Sequence, residues 1–563
     1  MKYDYDVIII GAGVAGALCA WRLAQDKRHS ILVLEAGDND LDQAQRDIFH
    51  RVYVSQPVKT WNTPYTRLES RLNAPYPERP DKPADEKYYQ QVGAGEDIFK
   101  ATYIRMNGGA TWAWRGNSPR FIPSDFELKT RYGIADDWPL KYGQLEDYFC
   151  QAEKELGVSG DHEEWDGLLE ANRSRKFPMP AIRLSYSDNL IKAEINALKV
   201  EGATINVVST PQARNSKFYD GRPACEGNSV CIPLCPIQAK YDASIHLKKA
   251  VAKGAELRTA CVVTKLGVDA AGRITTVRYK NWRSDDKNLE RQVSGKVVIL
   301  AANAVETPKI LMLSGLANEA GPIGRYLTDH VQEEVTGLFP KPVYPFRGPQ
   351  SLASIEVFRD GPFRKEAAAF RMTVGNDGWG RRELPGKTLD DLLTPEKLTF
   401  GKDLRDSVEK RITRMFRISY SCEMLPRAEN RIFLSTDKDA YGIPRPKFDF
   451  KLSDYEWKGL EKGYRAARQM MESIKVGNQQ VEEIRPEHFE KKFNTAAHPM
   501  GTCRMGTDKA TSVVNADGLT HAHENLYIVG SSVFTTGATA NPTLMLAALA
   551  LRTADVIKGC LNQ

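Results

Sequence analysis

Asp6-Val7-Ile8-Ile9-Ile10-Gly11-Ala12-Gly13-Val14-Ala15-Gly16, followed by Ser30-Ile31-Leu32-Val33-Leu34-Glu35, decides the fold of this 563-residue chain. The apolar run Val7 to Ile10 predicts a fully buried parallel strand, Val14 to Gln25 a helix opened by the glycines, and Ser30 to Glu35 a second strand. A βαβ unit with glycines at these three positions binds a dinucleotide. Gly11 permits the tight turn, Gly13 lets the backbone approach a pyrophosphate, and Gly16 lets helix pack on strand. The helix N-terminus stabilises the phosphate charge. Glu35 ends the second strand about 20 residues on, where ribose hydroxyls need an acceptor. This unit alone leaves FAD and NAD both open.

Further along, Lys296-Val297-Val298-Ile299-Leu300-Ala301-Ala302 predicts another buried strand, with a helix starting at Glu306-Thr307-Pro308, so the sheet resumes late in the chain. Between about Thr336 and Lys475 alternating segments such as Arg431–Leu434 and Lys447–Phe450 are joined by charged helical stretches, Leu404–Phe416 and Tyr455–Ile474. The expected fold class is α/β: a Rossmann-like nucleotide-binding domain with an inserted substrate domain, built on an antiparallel sheet backed by helices. The expected division gives 1–150, 205–335 and 490–563 to the nucleotide domain, and 151–204 and 336–489 to the substrate domain. Asp38 to Gln90 reads as a long irregular excursion.

A chain with 42% hydrophobic and 27% charged residues, at this length, exceeds what one core usually supports. The net charge of +6 is spread over 78 basic and 72 acidic residues with no long Lys/Arg run, which gives no ground for nucleic-acid binding. Val7–Ile10 and Leu544–Leu551, the longest apolar stretches, fall far short of the roughly 20 residues that cross a bilayer, so direct membrane insertion is not expected. The first strand begins right after Met1-Lys2-Tyr3-Asp4-Tyr5 and leaves no room for an export signal. The expectation is a cytoplasmic protein, the alternative a periplasmic one exported with a signal-bearing partner. Of nine cysteines, Cys19, Cys150, Cys261, Cys422, Cys503 and Cys560 read as buried free thiols, whereas Cys225, Cys231 and Cys235 cluster.

Near the C-terminus stands His498-Pro499-Met500-Gly501-Thr502-Cys503-Arg504-Met505-Gly506, with Asn541-Pro542-Thr543 after it. With Gly108-Gly109-Ala110-Thr111-Trp112-Ala113-Trp114, Ala301–Pro308 and Gly324–His330, this pattern resembles the glucose-methanol-choline (GMC) flavoprotein oxidoreductases over most of the chain. Trp138-Pro139, Tyr219-Asp220-Gly221-Arg222-Pro223 and Cys231–Pro236 look most like bacterial gluconate, fructose and FAD-glucose dehydrogenases. Glu35-Ala36-Gly37 resembles the flavoprotein form of the strand end, and no second glycine fingerprint stands ready for a nicotinamide. The resemblance therefore implies FAD. It implies cofactor contacts at Gly11, Gly13, Val14, Ala15, Gly16, Glu35, Ala36, Gly108, Gly109, Thr111, Val262, Gly530, Ser531, Asn541, Pro542 and Thr543. Relatives often carry a histidine where this chain has Trp112-Ala113-Trp114, so the FAD is expected to be non-covalent, and the rings serve as core packing or as a sugar-stacking wall.

Alcohol oxidation by a flavin needs a hydroxyl proton removed and a hydride passed to flavin N5. The resemblance implies His498 as the base and Asn541 as a hydrogen-bonding partner of the substrate oxygen. The other histidines outside the quoted motifs (His29, His50, His162, His246, His488, His521 and His523) read as structural. Proline suits the start of the helix after Asn541-Pro542, and the resemblance implies that its positive N-terminus points at the flavin pyrimidine. Cys225-x5-Cys231-x3-Cys235-Pro236 supplies three thiolates, the number that suits a 3Fe-4S cluster; the related dehydrogenases, which pass electrons onward to a cytochrome subunit, show Cys-Cys where this chain has Cys225-Glu226. Packing cysteines are the other reading. The expected activity is dehydrogenation of a sugar, glycoside, sugar acid or polyol, with a small subunit and cytochrome c or another acceptor as partners. An oxygen-using oxidase and a non-catalytic flavin-binding scaffold are the competing readings.

Overall fold

The computed structural model describes residues 3–37, 89–93, 99, 103–227, 231, 235–284, 286, 289–318, 320–376, 392–394, 397–439 and 441–562. Most of the stretch read as an irregular excursion lies outside these.

Five strands, β1 (Tyr5–Ile10), β2 (Ile31–Leu34), β3 (Glu256–Arg258), β4 (Gly295–Leu300) and β5 (Leu526–Ile528), form a sheet in the order β5-β4-β1-β2-β3. Every neighbouring pair is parallel. Val7, Ile8 and Ile9 have no exposed surface, which is why β1 is written without polar alternation. Helix α1 (Val14–Ala24) packs on the C-terminal helix α2 (Thr543–Leu561) and on the helix Ser244–Ala252, while a three-stranded antiparallel sheet over 261–293 packs against β4.

The second core surrounds an antiparallel sheet whose strands run Glu482–Arg485, Val331–Leu338, Met415–Cys422, Phe370–Gly375, Ala353–Ile355 and Val207–Ser209, with Asn494–Thr495 joined to Val331–Gln332. The amphipathic helix Asp454–Ser473 buries Leu460, Ala467, Met470 and Met471 and packs on two of these strands. This is the expected antiparallel sheet backed by a helix. Two of its strands, Val207–Ser209 and Val331–Leu338, begin inside the stretch 205–335 that the sequence assigns to the nucleotide domain. Val207-Val208-Ser209 is too short to show a two-residue alternation, so nothing in it signals the change of sheet. The charged stretch expected as a helix over Leu404–Phe416 is helical over Gly401–Arg414 and becomes a strand at Met415.

The helix expected to begin at Glu306-Thr307-Pro308 begins earlier and spans Asn303–Leu313, with Pro308 inside it. Proline has no N–H for the carbonyl four residues back. That carbonyl, Ala304 O, instead accepts the Thr502 hydroxyl at 2.7 Å, which ties the helix to the loop carrying His498.

A buried ion cluster joins the substrate sheet to the turn Pro123–Phe126. Arg364, without exposed surface, donates from Nη2 to Asp125 at 2.7 Å and binds Glu423 through Nε at 2.8 Å and Nη2 at 2.6 Å. Removing Arg364 leaves Glu423 without an ion pair among the described residues and Asp125 with only Arg359 Nη2, 3.9 Å away; breaking a buried pair in this way costs about 3–5 kcal/mol. Arg364→Leu is therefore expected to unfold at markedly lower guanidinium concentration than wild type. Unchanged midpoints by tryptophan fluorescence would contradict this account of the cluster.

Candidate functional site

The loops that follow β1, β4 and β5 leave the carboxyl end of the parallel sheet, the end at which open α/β sheets bind ligands. Gly11 follows β1 with φ +103°, and a Cβ there would lie 2.6 Å from Ala301 O at the end of β4. A Cβ on Gly16 would lie 2.0 Å from Gly11 O, so helix and strand meet with no room for a side chain. Gly13 differs: a Cβ there meets nothing within 4 Å, and no side chain caps the helix it opens. Open space over the uncapped N-terminus of an eleven-residue helix fits a pyrophosphate. Glu35 is buried beside this loop, its Oε2 accepting Ala12 N–H and its Oε1 accepting Gly37 N–H, both at 2.7 Å. Burial raises its pKa, against the pull of these amides.

Of the other predicted cofactor residues, Gly108, Gly109 and Gly530 pack against the glycine loop or its helix. Gly108 N–H donates to Ala12 O at 2.9 Å, and Gly109 lies against Gly13, where its Cβ would stand 3.0 Å from the Gly13 Cα. Thr111 holds that turn by donating its hydroxyl to Gly108 O at 2.5 Å. Val262 and Ala36 share a small apolar cluster with Trp282, whose Nε1–H donates to Ala36 O. Gly530 follows β5, its Cβ direction pointing at Ala15 3.8 Å away. Ser531 donates its hydroxyl to Pro499 O at 2.7 Å, which links the glycine loop to the His498 segment. Pro542 and Thr543 open α2, again without a side-chain cap. Of the two rings read as core or sugar wall, Trp112 is buried and donates to Asn107 O, so it is core; Trp114 is partly exposed and donates to Tyr241 O.

His498 is fixed from two directions. Met500 and Thr328 exchange main-chain hydrogen bonds at 2.9 and 3.1 Å, and Ala496 N–H donates to His330 O. Asp329 Oδ1 accepts the main-chain N–H of His330 at 2.6 Å and of His498 at 3.0 Å, while its Oδ2 has no hydrogen-bond partner among the described residues; burial pushes this carboxyl up to about 7. The imidazoles of His330 and His498 meet Nδ1 to Nδ1 at 2.9 Å, nearly perpendicular. Burial first, and then the neighbouring His330 and the Arg115 guanidinium, hold the His498 pKa well below 6.5. At neutral pH His498 is an uncharged imidazole able to accept a proton.

Asn541 is partly exposed, and Arg371 Nη1 reaches its Oδ1 at 3.4 Å. Arg371 is itself buried, with Nε on Glu356 at 2.8 Å and Nη2 on the Thr210 hydroxyl at 3.1 Å. With its carbonyl oxygen turned to Arg371, the amide of Asn541 keeps N–H donors for a substrate oxygen.

The cysteines expected to form a group do lie near one another. Burial raises the Cys225 thiol, with Cys231 and Cys235 acting in the same direction and Arg214 against them. Buried Arg214 donates to the Cys231 sulfur at 3.2 Å, and Lys240 Nζ joins Cys231 O to Trp112 O, both at 2.7 Å. Among the described residues no group of three His, Cys, Asp or Glu side chains is arranged to hold a metal ion.

His330, Asp329 and Arg115 act on His498, and Arg371 on Asn541, and none of the four is assigned a role by the sequence. Asp329 and His330 stood inside a quoted motif, whereas Arg115 and Arg371 carried no local signal.

The GMC oxidoreductase family pattern matches residues 192–332 and 426–550, and that of FAD dependent oxidoreductases matches 6–45. The chain is 33% identical over 575 aligned positions to the fructose dehydrogenase large subunit of Gluconobacter japonicus, covering 99% of this chain and 98% of that protein. It is 25% identical to the 2-methyl-1,2-propanediol dehydrogenase of Mycolicibacterium austroafricanum, covering 98% and 95%. Among solved structures, pyridoxine 4-oxidase from Mesorbium loti superposes with a TM-score of 0.62 at 18% identity, covering 98% of each chain, a likeness of fold.

Proposed function

This chain belongs to the GMC oxidoreductase family of FAD enzymes acting on CH–OH groups, and from that premise we propose that it dehydrogenates a sugar, sugar acid, glycoside or polyol. The observation that carries the reading is the contact of His498 with His330 and Asp329, on a segment that Ser531 ties to the end of β5, where Gly530 faces Ala15 of the glycine helix. Bound FAD supplies the hydride acceptor at N5. His498 takes the hydroxyl proton as the carbonyl forms, and Asn541 donates an N–H to the same oxygen. The turn at Gly11, the open space at Gly13 and the uncapped N-terminus of α1 would hold the cofactor's pyrophosphate, the N-terminus of α2 would face its pyrimidine, and Glu35 would accept from its ribose, with Gly16 closing helix onto strand.

Fructose and gluconate head the substrates to test, because the chain resembles a fructose dehydrogenase along its length and a gluconate 2-dehydrogenase flavoprotein at 24% identity. Turnover is measured with an artificial acceptor and separately with oxygen, and the keto product is identified. Rapid dye reduction with little peroxide is expected. Peroxide released at the rate of sugar consumption would convert the reading to an oxidase, and failure of every alcohol would favour a scaffold.

Electrons leave for an acceptor other than NAD. Cys225, Cys231 and Cys235 are the candidate ligands of a 3Fe-4S cluster, a reading supported by three cysteines in no disulfide, two of which act electrostatically on the third, with the Arg214 guanidinium on the Cys231 sulfur. An acceptor subunit such as a cytochrome, with a small subunit, completes the reading. Anaerobically purified protein should contain about three irons and four acid-labile sulfides per flavin. Iron far below that after reconstitution would remove the cluster and leave the flavin chemistry standing.

A further inference from the structure

We infer that His330 is a positioning residue that locks the proton of His498 onto Nδ1, leaving Nε2 as the lone pair that meets the substrate hydroxyl. The inference rests on the reading of His498 as proton acceptor and adds the reason why it accepts at one defined atom.

The logic is a count of protons along a chain of contacts. His330 is buried, and its Nε2 lies 3.1 Å from Gly537 O and 2.9 Å from Ala538 O. Carbonyl oxygens only accept, so His330 Nε2 must carry a hydrogen. Burial keeps this imidazole neutral, so it has one N–H, and its Nδ1 is a bare lone pair. The 2.9 Å contact between the two Nδ1 atoms then needs its hydrogen from His498. A neutral His498 with hydrogen on Nδ1 has none on Nε2. When Nε2 takes the substrate proton, the cation formed still donates from Nδ1 to His330, a hydrogen bond that strengthens with the charge.

The surroundings make the lock rigid. The two carbonyls belong to the loop that reaches Asn541 three residues later, and Asp329 Oδ1 pins the main chain of both histidines. A single turn of chain thus sets both the tautomer of the base and the approach to the amide that receives the substrate oxygen. Without an acceptor at His330 Nδ1, His498 would populate both tautomers and rotate more freely.

The test uses flavin-loaded enzyme labelled with 15N-histidine, the His498 signals being identified by their loss in His498→Asn. A protonated Nδ1 and an unprotonated Nε2 are expected; the reverse assignment overturns the lock. His330→Leu should lower kcat about 10- to 100-fold, the range for residues that orient a functional imidazole, with flavin content unchanged and KM moved less than about twofold. His330→Gln, which offers both an acceptor and a donor, should recover most of the loss. Full activity in folded, flavin-loaded His330→Leu would overturn the proposal. Should that variant not fold, the wild-type spectrum decides alone. If His498→Ala is inactive while His330→Leu is normal, only the lock fails; if His498→Ala keeps turnover, the base reading fails.

Discussion

His498→Ala should give a folded, yellow protein whose kcat is lower by about 10²- to 10⁴-fold, the contribution of a positioned general base. The side chain does not support the fold: its loop is held by main-chain bonds from Met500 and by Asp329 accepting the His498 N–H, all of which an alanine keeps. Flavin content should therefore equal that of wild type. The pH dependence carries a sign as well. His498 must be uncharged to accept a proton, so kcat/KM rises with pH through its pKa and levels off above it. Because burial, His330 and Arg115 depress that pKa well below 6.5, the wild-type profile should already be flat at neutral pH, with its acid limb well below. Wild-type-like turnover in a folded His498→Ala protein would reject the assignment.

Gly16→Val should yield protein without flavin, much of it insoluble, while Gly13→Val should fold and bind flavin weakly. The two glycines stand three residues apart in one motif, and the space around them separates their roles. At Gly16 even a Cβ would sit 2.0 Å from Gly11 O, a main-chain atom that cannot move without parting α1 from β1. At Gly13 a Cβ meets no protein atom within 4 Å. A side chain there enters the volume over the helix N-terminus that the pyrophosphate needs. Overpacking of that kind costs roughly 1–3 kcal/mol, or about a 10- to 100-fold loss of FAD affinity. Melting curves and flavin absorbance of the two variants check the pair, and normal flavin binding in Gly13→Val would mean that the cofactor does not approach this turn.

The nucleotide half was legible because its signals are local. Four buried residues in a row, three glycines at fixed offsets and an acidic residue at the end of the next strand lie within 30 positions, and β1, α1 and β2 follow them within a residue or two. The helix around Pro308 begins earlier than its sequence suggests because reading proline as a helix-start residue ignores a distant hydroxyl; Thr502 satisfies the carbonyl that Pro308 abandons. The His330–His498 pair was hidden for a related reason. Its members are 168 positions apart, and they are brought together by main-chain bonds between Thr328 and Met500 and between His330 and Ala496, with Asp329 accepting the His498 N–H. Arg371 sits in a strand of alternating character where a buried arginine looks like an ordinary outward-facing one, until Glu356 and Asn541 arrive from elsewhere in the chain.

On the proposed function, a neutral His498 and the glycine cradle serve one flavin. Anaerobic mixing of flavin-loaded wild type and His498→Ala with the same oxidisable sugar tests it most directly. Wild type should lose its flavin absorbance in a single turnover with one equivalent of carbonyl product, while His498→Ala should stay yellow on the order of a hundredfold longer or more. Equal bleaching rates in the two proteins would contradict the account.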